Sequence, residues 1–127
     1  MSEGNAIWVR RENEGDWLDV GDDHFVKFTT WSPDRELNPQ YAEYPDVEKW
    51  GLIIDHPHKN PAVGPVFPGR RCRGAVTFDG PVQQALVDGR ARWQVISLEP
   101  ETLEIAPSVL CMCGDHGFIR NGRWVAA

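Results

Sequence analysis

The chain has 127 residues, a formal net charge of −6 at pH 7 and 41% hydrophobic residues. This length predicts a single domain, residues 1–127, with one hydrophobic core, and it is too short for two such domains. The negative charge provides no basic field that could hold a phosphate backbone. We therefore expect a protein partner and no nucleic acid.

The cysteines and the amino-terminal segment indicate a cellular compartment. The first fifteen residues contain no apolar signal segment, and no stretch of the sequence reaches the length of a membrane span, so we expect no membrane partner. The chain has three cysteines, an odd number, and a disulfide between Cys111 and Cys113 would be strained. We expect reduced thiols or thiolate ligands and a cytoplasmic location.

Short apolar segments separated by turn residues predict a β protein. Ten Pro and twelve Gly interrupt the chain every few residues, and no window carries a helical apolar stripe longer than two turns. The fold class is therefore mainly β, α+β at most: a small single domain of antiparallel sheet with hairpins and one short helix. The predicted strands are rich in β-branched and aromatic residues. They cover residues 6–11, 24–31, 48–55, 72–79, 92–99 and 102–110.

The helix and the last hairpin have specific local signals. Residues 80–89 fit a helix with Pro81 in its first turn and a glycine past its end. Asn121 and Gly122 tolerate positive φ and predict a type I′ turn in a hairpin over residues 118–125.

The connections and the tryptophans add two further expectations. The Pro-rich segment 55–71 is long for a loop in a compact domain, which is typical of a functional or disordered loop. Trp17 and Trp31 lie beside turns and could line a groove. The tryptophans in apolar strand contexts predict core positions: Trp8, Trp50, Trp93 and Trp124.

The segment APSVLCMCGDHGFIRNGRW, residues 106–124, concentrates chemically active side chains. Cys113 and His116 have C-x-x-H spacing, and Cys111 and Cys72 could complete a tetrahedral Cys₃His set for zinc. Two cysteines one residue apart in a strand point to opposite faces, however, unless the backbone turns there. The alternative is that the cysteines are small core residues.

A serine nucleophile is the second interpretation of this segment. Ser108 ends an apolar strand and His116 lies across the next loop, so a β-hairpin could bring the hydroxyl and the imidazole within hydrogen-bonding distance. Asp115 is not the orienting partner of His116 merely because it is adjacent in sequence. Gly114 and Gly117 leave backbone N–H groups uncrowded, which would suit an oxyanion hole.

The other histidines are weaker candidates. His56 and His58 form an H-x-H pair, which can bind zinc or copper, but their loop-like, proline-rich context favours solvent-facing rings. His24 fits the edge of a strand and could also be a distant fourth ligand.

The carboxyl-terminal residues also carry a family resemblance. Three short elements of this segment together resemble the signature "PS…C-x-x-H-f-I-r-x-G-x-w". They are Pro107-Ser108, Cys113-x-x-His116 and the run from Phe118 to Trp124. This signature is typical of a family of small domains of unknown function in bacteria and phages, often mislabelled as ammonia monooxygenase. The resemblance covers about the last thirty-five residues, from Trp93, and Cys72 stands where that family has a cluster of cysteines.

This resemblance implies a function. Some members are encoded beside ubiquitin-like proteins and their E1-like and E2-like enzymes, and are thought to be serine-dependent peptidases that process or remove the ubiquitin-like modifier. By that resemblance Ser108 is the nucleophile and His116 the general base, with no cofactor. The rival hypotheses are a non-catalytic, zinc-stabilised protein-interaction module with Cys72, Cys111, Cys113 and His116 as ligands, and a phage accessory protein. His116 cannot be both the base for Ser108 and a zinc ligand.

Overall fold

The structure is a computed structural model that describes residues 6–11 and 15–127. Within those residues it contains ten β-strands, one short α-helix and two 3₁₀ turns. The strands are β1 Ile7–Arg11, β2 Gly15–Gly21, β3 His24–Trp31, β4 Val47–Pro57, β5 Arg71–Thr77, β6 Gln94–Ser97, β7 Glu104–Ala106, β8 Val109–Leu110, β9 His116–Arg120 and β10 Arg123–Ala126. The helix α1 is Pro81–Leu86, and the 3₁₀ turns are Pro39–Tyr41 and Pro100–Thr102. The mainly β, antiparallel fold class predicted from the sequence is confirmed.

The strands form three sheets. The first five strands make an antiparallel sheet in the order β1-β2-β3-β4-β5, each strand beside its neighbour in sequence. The last three make a sheet in the order β10-β9-β8, and β6 pairs with β7. Short turns join β1 to β2, β2 to β3 and β9 to β10, whereas longer connections, residues 32–46 and 58–70, join β3 to β4 and β4 to β5. The turn between β9 and β10 has positive φ at Asn121 and Gly122, as predicted for a type I′ turn.

One hydrophobic core joins the sheets. Buried apolar side chains of the five-stranded sheet, including Leu18 and Ile54, pack with Ile105 of the two-stranded sheet and with Ile119 and Trp124 of the C-terminal hairpin. Burial of such side chains is the main stabilising contribution to a fold of this size. The hairpin is thereby held against the first sheet.

Three local predictions differ from the observed elements. The predicted strand 102–110 is divided into β7 and β8, because Pro107 lacks an N–H and cannot donate to a strand ladder. The predicted helix 80–89 is shorter, ending at Leu86. β2 was not predicted, because its sequence GDWLDVG contains the β-depleted residues Gly and Asp.

The tryptophan predictions were partly wrong. Trp124 is buried as expected, but Trp8 is 56% exposed, whereas Trp17, expected beside a groove, is only 2% exposed. β1 is an edge strand of its sheet, which explains the exposure of Trp8.

Candidate functional site

Three strands of the first sheet place a row of polar side chains on one face. His56 on β4 lies directly opposite Cys72 on β5, and the ring of His24, the first residue of β3, stacks on the ring of His56 with centroids 5.5 Å apart. Alternate residues of a strand point to opposite faces, so Asp55 lies on the other face. His24 and His56 are each 1% exposed, and Cys72 is 7% exposed.

The loop between β8 and β9 brings two more cysteines to this row. The N–H of Cys111 donates to the carbonyl of Asp115 at 2.7 Å, and the N–H of Gly114 donates to the carbonyl of Cys111 at 2.9 Å. Gly114 has a φ of +97°, a conformation that favours glycine, and it completes this tight reversal. Because the backbone turns here, Cys111 and Cys113 do not point to opposite faces of one strand.

The result is a cluster of three thiols and an imidazole. Four ligand atoms, one from each residue, all lie within 4.8 Å of one another, and the residues are His56, Cys72, Cys111 and Cys113. The sulfur atoms of Cys72 and Cys111 are 3.6 Å apart. The thiols are free of disulfides, and only Cys111 is partly exposed. The structure therefore brings together the three cysteines of the sequence-predicted zinc set, with His56 in place of His116.

The electrostatics of the three thiols differ. Burial raises the pKa of Cys72 to about 12, with a further contribution from its hydrogen bond to Cys111, and burial also raises the pKa of Cys111. At Cys113 burial opposes ionisation, but the backbone N–H groups of Lys59 and Asp115 favour the thiolate, and the pKa is lowered. Such N–H groups stabilise a thiolate.

The expectation that His56 and His58 face solvent was wrong. His56 is 1% exposed and His58 is 9% exposed. β4 extends to Pro57, so His56 belongs to a central strand rather than to the loop predicted over residues 55–71. The sequence signal that could have identified His56 is the apolar run of residues 51–54 just before Asp55 and His56, since such a run is typical of a buried strand.

A buried carboxylate connects the two histidines. Asp115 Oδ2 accepts a hydrogen bond from His24 Nε2 at 2.6 Å and lies 3.3 Å from His56 Nδ1. Lys59 Nζ is 3.9 Å from the other carboxylate oxygen. Burial opposes ionisation of Asp115, but the hydrogen bond from His24 and the nearby positive charge lower its pKa. Burial lowers the pKa of His56, which favours the neutral ring.

Ser108 and His116 lie on the outer side of the same hairpin. His116 Nε2 and Ser108 Oγ are 3.0 Å apart, and the His116 side chain is exposed. Asp115 and His116 are adjacent in sequence but point to opposite sides. The carboxylate of Asp115 contacts His24 and His56 and does not contact the His116 ring. Among residues 6–11 and 15–127, no carboxylate is hydrogen-bonded to the His116 ring.

The oxyanion hole suggested by Gly114 is not supported. Its N–H donates to the carbonyl of Cys111, so this group does not point toward Ser108 as a free donor. Gly117 lies in the central strand of its sheet, paired on both sides, and a Cβ there would come within 2.5 Å of the Trp124 ring.

Comparisons with protein-family models, with curated proteins and with solved structures gave no match. Along the described part of the chain, no helix has both the length and the apolar character needed to cross a bilayer.

Proposed function

We propose that the protein is a zinc-binding domain in which Cys72, Cys111, Cys113 and His56 hold the ion. The observation that carries this proposal is the convergence of the four ligating atoms within 4.8 Å of one another. The cysteines are distant from His56 in sequence. Cys72 reaches it from the neighbouring strand β5, and Cys111 and Cys113 reach it from the loop between β8 and β9.

The chemistry of the donor set supports zinc. Cys₃His is a common structural zinc set, with Zn–S distances of about 2.3 Å that place tetrahedral sulfurs about 3.8 Å apart. The sulfurs of Cys72 and Cys111 are already 3.6 Å apart. The backbone N–H groups of Lys59 and Asp115 lower the pKa of Cys113 despite its burial, an environment that suits a thiolate ligand better than a thiol packed only as a small apolar core residue.

Four protein ligands would close the site, which is typical of a structural rather than a catalytic zinc. The ion would tie the loop containing Cys111 and Cys113 to β4 and β5 and so fix the hairpin that carries the exposed residues of the C-terminal segment. This supports the role of a zinc-stabilised protein-interaction module. The three free thiols also suit a reducing compartment, and we propose a cytoplasmic location.

Metal analysis of matched histidine variants tests the proposal. We expect about one zinc per chain in the wild type and in His116→Ala, and its loss in His56→Ala. Both variants remove an imidazole, but only one belongs to the cluster. Wild-type protein that contains no zinc after expression and refolding with zinc would contradict the proposal, as would loss of zinc in His116→Ala alone.

The hydrogen bond between Ser108 and His116 favours a second candidate function, a serine-dependent peptidase. Since His56 completes the thiol cluster, His116 is available as a base, and a zinc site and a serine site can coexist. In the reaction, His116 Nε2 accepts the Ser108 proton and Oγ attacks the carbonyl. The amine leaves with that proton, and water then releases the acyl group from Ser108.

The resemblance described above suggests the substrate: the tail of a ubiquitin-like protein or its conjugate, in a bacterium or phage, with the ubiquitin-like protein or its E1-like and E2-like enzymes as partners. The test is cleavage of a ubiquitin-like protein that carries a carboxyl-terminal extension. We expect Ser108→Ala to abolish cleavage and Ser97→Ala, whose hydroxyl pairs with Thr102, to retain it. Cleavage by Ser108→Ala at the wild-type rate would exclude this candidate and leave a phage accessory role as the remaining alternative to the zinc module.

A further inference from the structure

Beyond the four ligands, the cluster has a second layer of buried polar groups that the zinc site does not itself require. His24, Asp115 and His56 form a continuous chain of polar contacts, and all three are buried. Buried charge is costly unless it is paired and hydrogen-bonded, so the buried carboxylate of Asp115 needs partners that offset this cost.

The contacts of His56 determine which of its nitrogens can bind a metal. Nδ1 lies 3.0 Å from the carbonyl oxygen of Pro57 and 3.3 Å from Asp115 Oδ2. A carbonyl and a carboxylate only accept hydrogen bonds, so Nδ1 carries the hydrogen. Nε2 then has the free lone pair, which is the form that a metal ligand requires.

The contacts of Asp115 hold it in place. His24 Nε2 donates to Oδ2 at 2.6 Å, while His24 Nδ1 faces the carbonyl of Asp22, also at 2.6 Å. The His24 ring is further fixed by stacking on Trp124, with centroids 4.2 Å apart. Because Asp115 follows Cys113 by two residues, the loop that supplies two thiols also supplies the carboxylate that contacts the histidine.

We infer that Asp115 is a positioning residue for the metal: its carboxylate, 3.3 Å from Nδ1 of His56, acts together with the Pro57 carbonyl that accepts the Nδ1 hydrogen bond, so that Nδ1 keeps its hydrogen and Nε2 is free to bind the metal. His24 anchors Asp115 through its 2.6 Å hydrogen bond. This inference rests on the proposed zinc site. In zinc proteins the carboxylates and backbone carbonyls around the second nitrogen of a ligating histidine fix the ring and raise its basicity, and loss of such a partner typically lowers metal affinity about 10- to 100-fold.

Zinc affinity of Asp115→Asn, measured by competition with a chromogenic chelator, tests the inference. Asparagine preserves the shape but lacks the charge. We expect about 10- to 100-fold weaker zinc binding with unchanged stoichiometry at saturating zinc. The matched control is Asp79→Asn, which removes an exposed carboxylate paired with Arg92 and should bind zinc as the wild type does.

A second variant and a spectroscopic measurement separate positioning from general destabilisation. His24→Phe keeps a ring against Trp124 but removes the donor to Asp115, and we expect an intermediate loss of affinity. With cobalt in place of zinc, Asp115→Asn should alter the visible d–d bands, which report ligand geometry, whereas Asp79→Asn should not.

Each failure has a distinct meaning. Unchanged affinity and unchanged cobalt spectra in both Asp115→Asn and His24→Phe would overturn the positioning role while leaving the zinc site intact. Failure of the wild type to bind zinc would overturn the zinc site and the inference together. If Asp115→Asn does not fold, unchanged affinity in His24→Phe alone contradicts the inference.

Discussion

The indole of Trp124 stacks on the imidazole of His24, with ring centroids 4.2 Å apart and ring planes inclined by 13°. Trp124 belongs to β10 of the C-terminal hairpin and His24 to β3 of the five-stranded sheet, and they are only 4% and 1% exposed. This contact joins the two sheets beside the thiol cluster. It therefore links the stability of the fold to the geometry of the candidate site.

Replacing Trp124 by alanine should destabilise the protein strongly. Truncation of a buried aromatic side chain removes its packing and leaves a cavity, and it typically costs about 3–5 kcal/mol. Urea unfolding measures the change. Trp8→Ala is the matched control, because Trp8 is 56% exposed and its loss should cost about 1 kcal/mol or less. Equal losses in the two variants would contradict the central position of Trp124.

The close approach of β9 to Trp124 gives a second prediction. A Cβ at Gly117 would lie 2.5 Å from two atoms of the Trp124 ring and 2.8 Å from the carbonyl oxygen of Val125. We expect Gly117→Ala to lower the free energy of unfolding by about 1–3 kcal/mol through overpacking. The double variant with Trp124→Phe tests the cause. A smaller ring relieves the contact with residue 124, so the cost of Gly117→Ala should be lower in that background, and simple additivity would assign the overpacking to the Val125 carbonyl rather than to the ring.

Much of the fold could be predicted from sequence because the strand signals are local. Short runs of β-branched and aromatic residues between turn residues identified most strands, and Asn121-Gly122 identified the last turn. β2 was missed because its glycines and aspartates have poor β-propensity, and only its position between β1 and β3 gives it partners on both sides.

The sequence predicted the three cysteines of the candidate site but not its histidine, His56. The spacing of Cys113 and His116 suggested that both bind one ion, but strand alternation turns Asp115 inward and leaves His116 exposed. His56 joins the thiols through its pairing with Cys72 across two strands, sixteen residues apart in sequence. Local spacing carries no information about such a cross-strand neighbour.

The other face of the first sheet carries a buried charge whose removal should be costly. The Asp55 side chain is fully buried, and its carboxylate pairs with Arg71 at 2.7 Å, Arg73 at 2.9 Å and Arg11 at 3.3 Å. Asp55→Ala leaves three neighbouring guanidinium groups without this counter-charge, and loss of one partner of a buried pair costs about 3–5 kcal/mol.

Thermal or urea unfolding of Asp55→Ala checks this expectation. The control is Asp79→Ala, which breaks the more exposed pair with Arg92 and should cost about 1 kcal/mol or less. A loss for Asp55→Ala no larger than that of the control would show that the arginines find other partners or solvent at little cost.

The reactivity of the thiols should report metal binding directly. A thiolate bound to zinc is shielded from alkylating reagents, so in zinc-loaded protein we expect slow modification of all three cysteines, with faster reaction after a chelator removes the ion. Mass spectrometry of the alkylated protein counts the modified residues and identifies them. Equal rates with and without chelator would contradict a metal at the thiols.

Within the metal-free protein the three cysteines should react at different rates. Cys72 should react more slowly than Cys111, because burial, followed by its hydrogen bond to Cys111, raises the pKa of Cys72 to about 12. The nucleophile is the thiolate, so raising the pH from 7 to 9 still leaves Cys72 almost entirely protonated. Cys111 is the more accessible thiol and should be alkylated before Cys72. A metal-free protein in which Cys72 is modified first would mean that β5 separates from the loop when the ion is lost.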